Sequence, residues 1–428
     1  MVVTMRRIVF LLLTAAWLLG RTEAVRFLRW AEVQPVLAKF ATAADRLPEI
    51  ADDKEGEDWL RQRDGEIRGR IDRATEDSIG ALILFGTSFT GLPSLAGTSA
   101  AVDAAGGLTA PARARVDAFL QALDQQDSER LRLTLDYLRR RRVAEDEVKA
   151  FLTGILRRYA LEQSGRQRAR KGASEAIPAE ASLMASFAIE EALRNLKGKG
   201  AVTVHIRRIA VIGPGLDFAG QPDGFDACPL QTVQPFALLE AVLRLGLAQP
   251  SEVQVTGFDL NPWVLGRIKA TTSKGRPAEY VLQVGRPGAA QWNTAASGYW
   301  EHFGETIGTP ATAVQAPPGI ERRAILVKPQ FAARVAMEEL NIVTQTFDAA
   351  PAPGFDLVVA ANVLDYYNQW EQALALTSIA QMMASGGIFL SNTGASAPKL
   401  AEFEAQGTEV VGYKNDGASE SIAVYRRR

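Results

Sequence analysis

Three groups of residues in this chain have the type and spacing to do chemistry. Gly213-Pro214-Gly215 follows an apolar run, Ile209–Ile212. Asp259 ends a second apolar run, Val253–Phe258. Asn362, Tyr366 and Tyr367 follow a third, Phe355–Ala361. Glycines in such a turn let the backbone approach a ligand, because a Cβ there would clash or force an unfavourable φ. An acid at the carboxyl end of the next strand can accept both hydroxyls of a ribose. Strand, glycine turn, helix, strand, acid is the order of one half of a nucleotide-binding α/β sheet. A dinucleotide turn would need a third glycine where this chain has Phe218, and its acid would follow the turn by ~20 residues. Here an insert pushes the acid much further along. Both departures point away from a bound pyrophosphate and toward a smaller nucleoside ligand.

Each candidate also has a plainer role open to it. Asp259 could cap the helix that follows. Asp348, after the run Asn341–Thr346, could cap a turn. Asn362 could do the same. Tyr366 and Tyr367 could fill core or line a substrate pocket. Asp217 and Asp226 fall in an insert, residues 216–231, and read as surface-loop residues; Cys228 reads as inert.

Composition narrows the function classes. A chain of 428 residues has room for two or three domains. Hydrophobic residues make up 47% and charged residues 23%, enough for a sizeable core in a soluble protein. The formal net charge of -1 gives no global pull toward nucleic acid or anionic membrane. One cysteine excludes an internal disulfide, and with only His205 and His302 it makes no zinc set. No metal site is expected. No nucleophile-elbow sequence supports a hydrolytic triad.

The elements that must position these residues fall into four stretches. Residues 1–24 carry Arg6-Arg7, a short apolar core and small residues near Ala24, the features of a secretory signal or a membrane anchor. Residues 25–200 read as a helical N-terminal domain and linker, with helices over Val25–Leu47, Glu55–Arg73, Asp77–Leu84, Ala112–Leu123, Ser128–Leu138, Asp146–Leu161 and Ser182–Lys197. Gly165–Ile177 is the linker. The arginine run Arg139–Arg142 reads as a solvated face beside Glu145, Asp146 and Glu147. From 201 to 428 strands alternate with helices, the pattern of a parallel sheet covered on both faces. Thr271–Gln330 is long for a connection and reads as an inserted small β subdomain around Tyr280–Val284 and Ala324–Val327. The sheet strands are then Ile209–Ile212, Val253–Phe258, Asn341–Thr346, Phe355–Ala361, Ile388–Ser391 and a closing hairpin, Val410–Tyr413 with Ile422–Tyr425.

Over about 201–428 this order resembles the class I S-adenosylmethionine-dependent methyltransferases. Within them it is most similar to the chemotaxis-receptor methyltransferases. Gln234-Pro235-Phe236-Ala237-Leu238, Gly257-Phe258-Asp259-Leu260-Asn261 and Phe355–Tyr367 carry the likeness. It implies an α/β, Rossmann-like seven-stranded sheet with its last strand antiparallel. It implies S-adenosylmethionine as cofactor, with Gly213, Pro214 and Gly215 facing the methionine part and Asp259 on the ribose. Leu260 would lie against the adenine, Asp348 would meet the adenine amino group, and Asn362 would sit near the methyl donor. The partner would be a methyl acceptor, small molecule or protein, with membrane association through the N-terminus where the anchor is retained. Val211 stands where the family has an acid, Asp217 where it has a third glycine, Gln234 where it has Glu, and Ala361 where it has Arg. These departures leave a second function open, a non-catalytic methyltransferase-fold binding protein. A nicotinamide-linked oxidoreductase is disfavoured by Phe218.

Overall fold

Alternation along Arg208–Ile212 sends Ile209 and Val211 to one side and Ala210 and Ile212 to the other, and all four are buried. A strand buried on both faces must be central and covered by helices on each side. The computed structural model describes residues 25–428, apart from 43, 44, 46, 48, 127, 170–180, 203, 204, 218–227, 273–279, 288–291, 316–318, 349–352 and 393–399. The signal or anchor segment, 1–24, and most of the linker lie outside the described residues. Among the described residues no helix is long and apolar enough to cross a membrane.

The N-terminal elements are β1 (Val25–Phe27), α1 (Trp30–Phe40), α2 (Asp53–Phe85), α3 (Ala110–Gln125), α4 (Glu129–Arg140), α5 (Val148–Ala169) and α6 (Ala181–Gly198). Then come β2 (Arg208–Ile212), α7 (Gln234–Arg244), β3 (Gln254–Asp259), α8 (Pro262–Thr272), β4 (Tyr280–Pro287), α9 (Thr294–His302), β5 (Gly308–Ala311), β6 (Ile320–Val327) and α10 (Pro329–Ala332). The chain closes with β7 (Val335–Glu339), β8 (Gln345–Phe347), β9 (Phe355–Ala360), α11 (Gln369–Met382), β10 (Met383–Ser391), β11 (Phe403–Gly412) and β12 (Ser419–Arg427).

Seven strands form one mixed sheet in the order β11-β12-β10-β9-β2-β3-β7. β2, β3, β7, β9 and β10 run parallel, and β12 runs antiparallel to both of its neighbours. The α/β sheet with a reversed last strand is therefore present as expected. The third strand is not where propensity put it. Asn341–Thr346 is rich in Ile, Val and Thr, yet the strand beside β3 is β7, Val335–Glu339. Its composition, Val-Ala-Met-Glu-Glu, favours helix, but Val335 and Met337 alternate into the core and the site at the sheet edge decides the outcome. Gln345–Phe347 pairs antiparallel with Val25–Phe27 in a separate two-stranded sheet. That pairing also corrects the helix expected from Val25, which begins only at Trp30.

The sheet has a core on each face. One packs α6, α7 and the three-stranded antiparallel sheet β4-β6-β5 against Ile209, Val211, Val255, Leu357 and Leu390. The other packs α1, the first half of α2 and α11 against Ala210, Ile212, Phe258, Val358 and Phe389. The two helices expected at Glu55–Arg73 and Asp77–Leu84 are one helix of 33 residues, α2. At 1.5 Å per residue it is about 50 Å long. Its first half (Trp59, Leu60, Ile67) belongs to the sheet core, and its second half (Ile79, Ile83, Leu84) to a helical core with α3, α4 and α5. Arg115 of α3 is 1% exposed and donates to the carbonyls of Ile83, Gly86, Leu92 and Pro93, holding the Gly86–Pro93 turn onto the end of α2.

Candidate functional site

The register of β2 against β3 pairs Ile212 with Phe258, so Gly213 comes level with Asp259 at the carboxyl edge of the sheet. The Gly213 amide donates to the Phe258 carbonyl at 2.8 Å. The Asp259 carboxylate accepts from the Asn261 amide at 2.8 Å and from the Gly215 amide at 3.2 Å. Sequence reasoning brought the glycine turn and this acid together, and they meet.

The two glycines have different surroundings. Both have positive φ, +60° at Gly213 and +65° at Gly215, a backbone region costly for other residues. A methyl at Gly213 would lie 2.5 Å from Cγ2 of Val363, so this glycine is closed over by the loop after β9. Among the described residues a methyl at Gly215 would meet nothing within 4 Å. Gly215 is thus the point where the turn's backbone is open to a ligand. Pro214 turns inward, with Cγ 3.5 Å from the place a Gly257 methyl would take.

Burial pushes the Asp259 carboxyl above its ordinary pKa, against the opposing amide hydrogen bonds from Asn261, Gly215 and Leu260. A carboxylate has about four acceptor positions. Three amides leave room for one more donor, and the long bond to Gly215 is the one a ribose hydroxyl would share. Burial pushes Tyr367 up to about 12, and the Asp259 charge adds to it. Arg70 of α2 lies over the Tyr367 ring at 6.0 Å and pairs with Glu371 at 2.5 Å. Tyr366, its neighbour, is 71% exposed at the rim.

Leu260 is 9% exposed and joins the apolar cluster that includes Leu60 and Ile67 of α2, Leu340 and Ile342. Helix α2 crosses this corner. Its Asp64 accepts from Asn341 Nδ2 at 2.8 Å and Thr344 Oγ1 at 3.0 Å, and Arg68 reaches Glu339 at 2.5 Å. Asp348 is a correction. The sequence puts it past the third strand, but that strand ends at Glu339, and Asp348 follows β8, a strand outside the seven-stranded sheet. Leu340 and Asn341 follow the third strand at the carboxyl edge, and the Leu340 amide donates to the Asp259 carbonyl at 3.3 Å.

Asn362 has φ +58° and pairs reciprocally with Asn392 at the end of β10: its amide donates to Asn392 Oδ1 at 2.8 Å, and Asn392 Nδ2 donates to its Oδ1 at 2.6 Å. Asp217 is a second correction. It is no surface-loop residue: its carboxylate accepts from the Val233 amide at 2.9 Å, and burial pushes its pKa up to about 6. Asp226 lies outside the described residues. Asn341, Asp64, Asn392 and the half-buried, hydrogen-bonded state of Asp217 carried no local signal. Each depends on a partner at least 16 positions away.

No family profile and no curated protein matches this chain. Among solved structures it is similar to the N-methyltransferase NodS from Bradyrhizobium japonicum, at 12% identity and TM-score 0.27 over 56% of this chain and 96% of that one. It is similar to magnesium protoporphyrin IX methyltransferase from Synechocystis with bound SAH, at 9% identity and TM-score 0.27 over 62% and 95%. An O-methyltransferase family protein from Burkholderia thailandensis gives 12% and 0.27 over 62% of each chain. Similarity at this level says nothing of what this chain binds or transfers.

Proposed function

We propose that this protein is an S-adenosylmethionine-dependent methyltransferase. The observation that carries the proposal is the Gly213–Gly215 turn meeting Asp259 across β2 and β3, with open space above Gly215. S-adenosylmethionine supplies a methyl group activated on a sulfonium. Asp259 would hold its ribose, Gly213–Gly215 its amino-acid side, and Leu260 the edge of its adenine. Asn362, fixed by Asn392 beside the glycine turn, would orient the acceptor at the carboxyl end of β9. Tyr366 and Tyr367 would line the acceptor pocket. Transfer to an aligned acceptor needs proximity and orientation above all, which suits a site with no histidine near it. The acceptor is a small molecule or a protein. The likeness to the chemotaxis-receptor enzymes makes a carboxylate acceptor the first to test, and such an acceptor needs no base.

Calorimetric titration with S-adenosylhomocysteine tests this. Binding in the micromolar range is expected, and Asp259→Ala should weaken it about ten- to a hundred-fold, because hydrogen bonds to a charged group are worth ~1.5–3 kcal/mol. The fold should survive, since Asp259 ends its strand. No heat and no thermal shift at millimolar ligand would sink the proposal in favour of a non-catalytic binding protein.

A further inference from the structure

Strand β3 lies between β2 and β7 in the sheet. With a ribose on Asp259 at the end of β3 and the amino-acid side of the ligand over the β2 turn, the base falls on the β7 side. The backbone there is the loop 340–344, between β7 and β8. It starts beside Asp259, where the Leu340 amide donates to the Asp259 carbonyl at 3.3 Å. The shape of this loop therefore bears on the nucleoside half of the ligand.

Helix α2 holds that loop from outside the sheet. Asp64 Oδ1 accepts from Asn341 Nδ2 at 2.8 Å and from Thr344 Oγ1 at 3.0 Å, while Oδ2 accepts from Arg68 Nε at 2.6 Å. Arg68 reaches on to Glu339, the last residue of β7. The Leu28 amide, ahead of α1, adds a bond to the Thr344 carbonyl at 2.9 Å. Asn341 and Thr344 are fully buried, and Asp64 is 8% exposed. Against an apolar filling, a buried charge adds little net stability. Three donors converging on one carboxylate do fix a geometry, and here it is that of the loop beside Asp259.

We infer that Asp64 is a positioning residue of the nucleoside site. Without touching the ligand, it sets the loop 340–344 against which the base packs. The long N-terminal helix and the sheet then make one site. This rests on the reading of Asp259 as the ribose acceptor for S-adenosylmethionine.

Asparagine cannot replace this carboxylate, because both of its oxygens accept and one end of an amide only donates. Either Asn341 or Arg68 would then face a second donor. Exchanging the pair, Asp64→Asn together with Asn341→Asp, restores an acceptor for each donor: the new amide donates to the new carboxylate and keeps its oxygen for Arg68. Calorimetry on the full chain tests the inference with S-adenosylhomocysteine and with 5′-methylthioadenosine, which has no amino-acid part. Asp64→Asn should weaken both by the same factor, about two- to thirtyfold, and the double exchange should restore most of it. Thermal melts separate this from a loss of fold. A purely structural Asp64 would lower the melting temperature and leave both affinities unchanged in the folded variant, which would overturn the inference. So would a loss confined to S-adenosylhomocysteine, because it would put the effect on the amino-acid half. Should Asp64→Asn not fold, Thr344→Val carries the test, since it removes one of the loop's two donors to Asp64 and keeps the side-chain shape. A loss of about twofold or more is expected there, and unchanged binding would overturn the inference. If the unaltered protein binds neither ligand, the proposed function falls and this inference with it. If it binds both and the variants bind as well, only this inference falls.

Discussion

Gly213 and Gly215 share a backbone conformation but not a neighbourhood, and substitution should separate their roles. Alanine at either position pays for a positive φ, about 1–2 kcal/mol. At Gly213 the added methyl also meets Val363 at 2.5 Å, an overpacking that costs a further ~1–3 kcal/mol. Gly213→Ala should therefore lower the urea midpoint clearly more than Gly215→Ala. Gly215→Ala should instead lose S-adenosylhomocysteine affinity by about tenfold, since its methyl fills the space left for the ligand. Equal stability losses would mean that Val363 yields freely. Unchanged binding in Gly215→Ala would take the ligand off that face of the turn.

Among the elements, the β1–α1 corner depends on one carboxylate. Glu32 accepts from Arg26 Nη1 at 3.0 Å, from Arg29 Nη2 at 2.7 Å and from the Arg29 amide at 2.7 Å, closing the first turn of α1. Burial alone would raise its pKa, but the hydrogen bonds from Arg26 and Arg29 outweigh it and hold the carboxyl at about 2, against an ordinary 4.5. A depressed pKa stabilises the fold above the unfolded value and stops doing so as pH falls through the folded one. The contribution should thus be full above about pH 4.5 and lost toward about pH 2. Because the arginines are partly in solvent, the effect will be smaller than the full shift implies. Glu32→Gln should flatten the acid limb of the stability curve between those pH values in urea titrations. An identical limb in the variant would mean the cluster is screened to nothing. The arginine run is different in kind: Arg139 with Asp136 and Arg141 with Asp72 are surface pairs, worth little.

At the scale of the molecule, residues 25–40 are part of the sheet's covering layer. β1 pairs with β8, and Trp30, Val33 and Leu37 lie in the same core as Trp370 and Leu374 of α11. Trp30 packs edge-on to Trp59 of α2 at 6.1 Å, and Trp59 to Trp370 at 5.7 Å. Three aromatic residues thus tie the N-terminus, the long helix and the last sheet helix. Trp30→Ala should cost about 3–5 kcal/mol and lower the melting temperature of the whole sheet. A melt in which the sheet transition stays put would show the N-terminal layer to be dispensable.

Much of the sheet was legible because most of its central strands are nearly continuous apolar runs, a pattern that a doubly covered strand tolerates. Ile209–Ile212, Phe355–Ala361 and Ile388–Ser391 mark strands for this reason, Val253–Phe258 does so by alternation, and the glycine turn and Asp259 follow from where two of these strands end. The edge was not legible. β7 has helix-favouring residues and Asn341–Thr346 strand-favouring ones, so local preference reversed the two, and Asp348 was misplaced with them. Only pairing across the sheet, β7 with β3 and β8 with β1, decides between them. The same holds for charge. Sequence shows that Asp217 and Asp259 are acids near a glycine turn. Burial against distant segments decides that both carboxyls rise in pKa. Desolvation is a property of what surrounds a group, and in this chain the surroundings come from helices and strands far away in sequence.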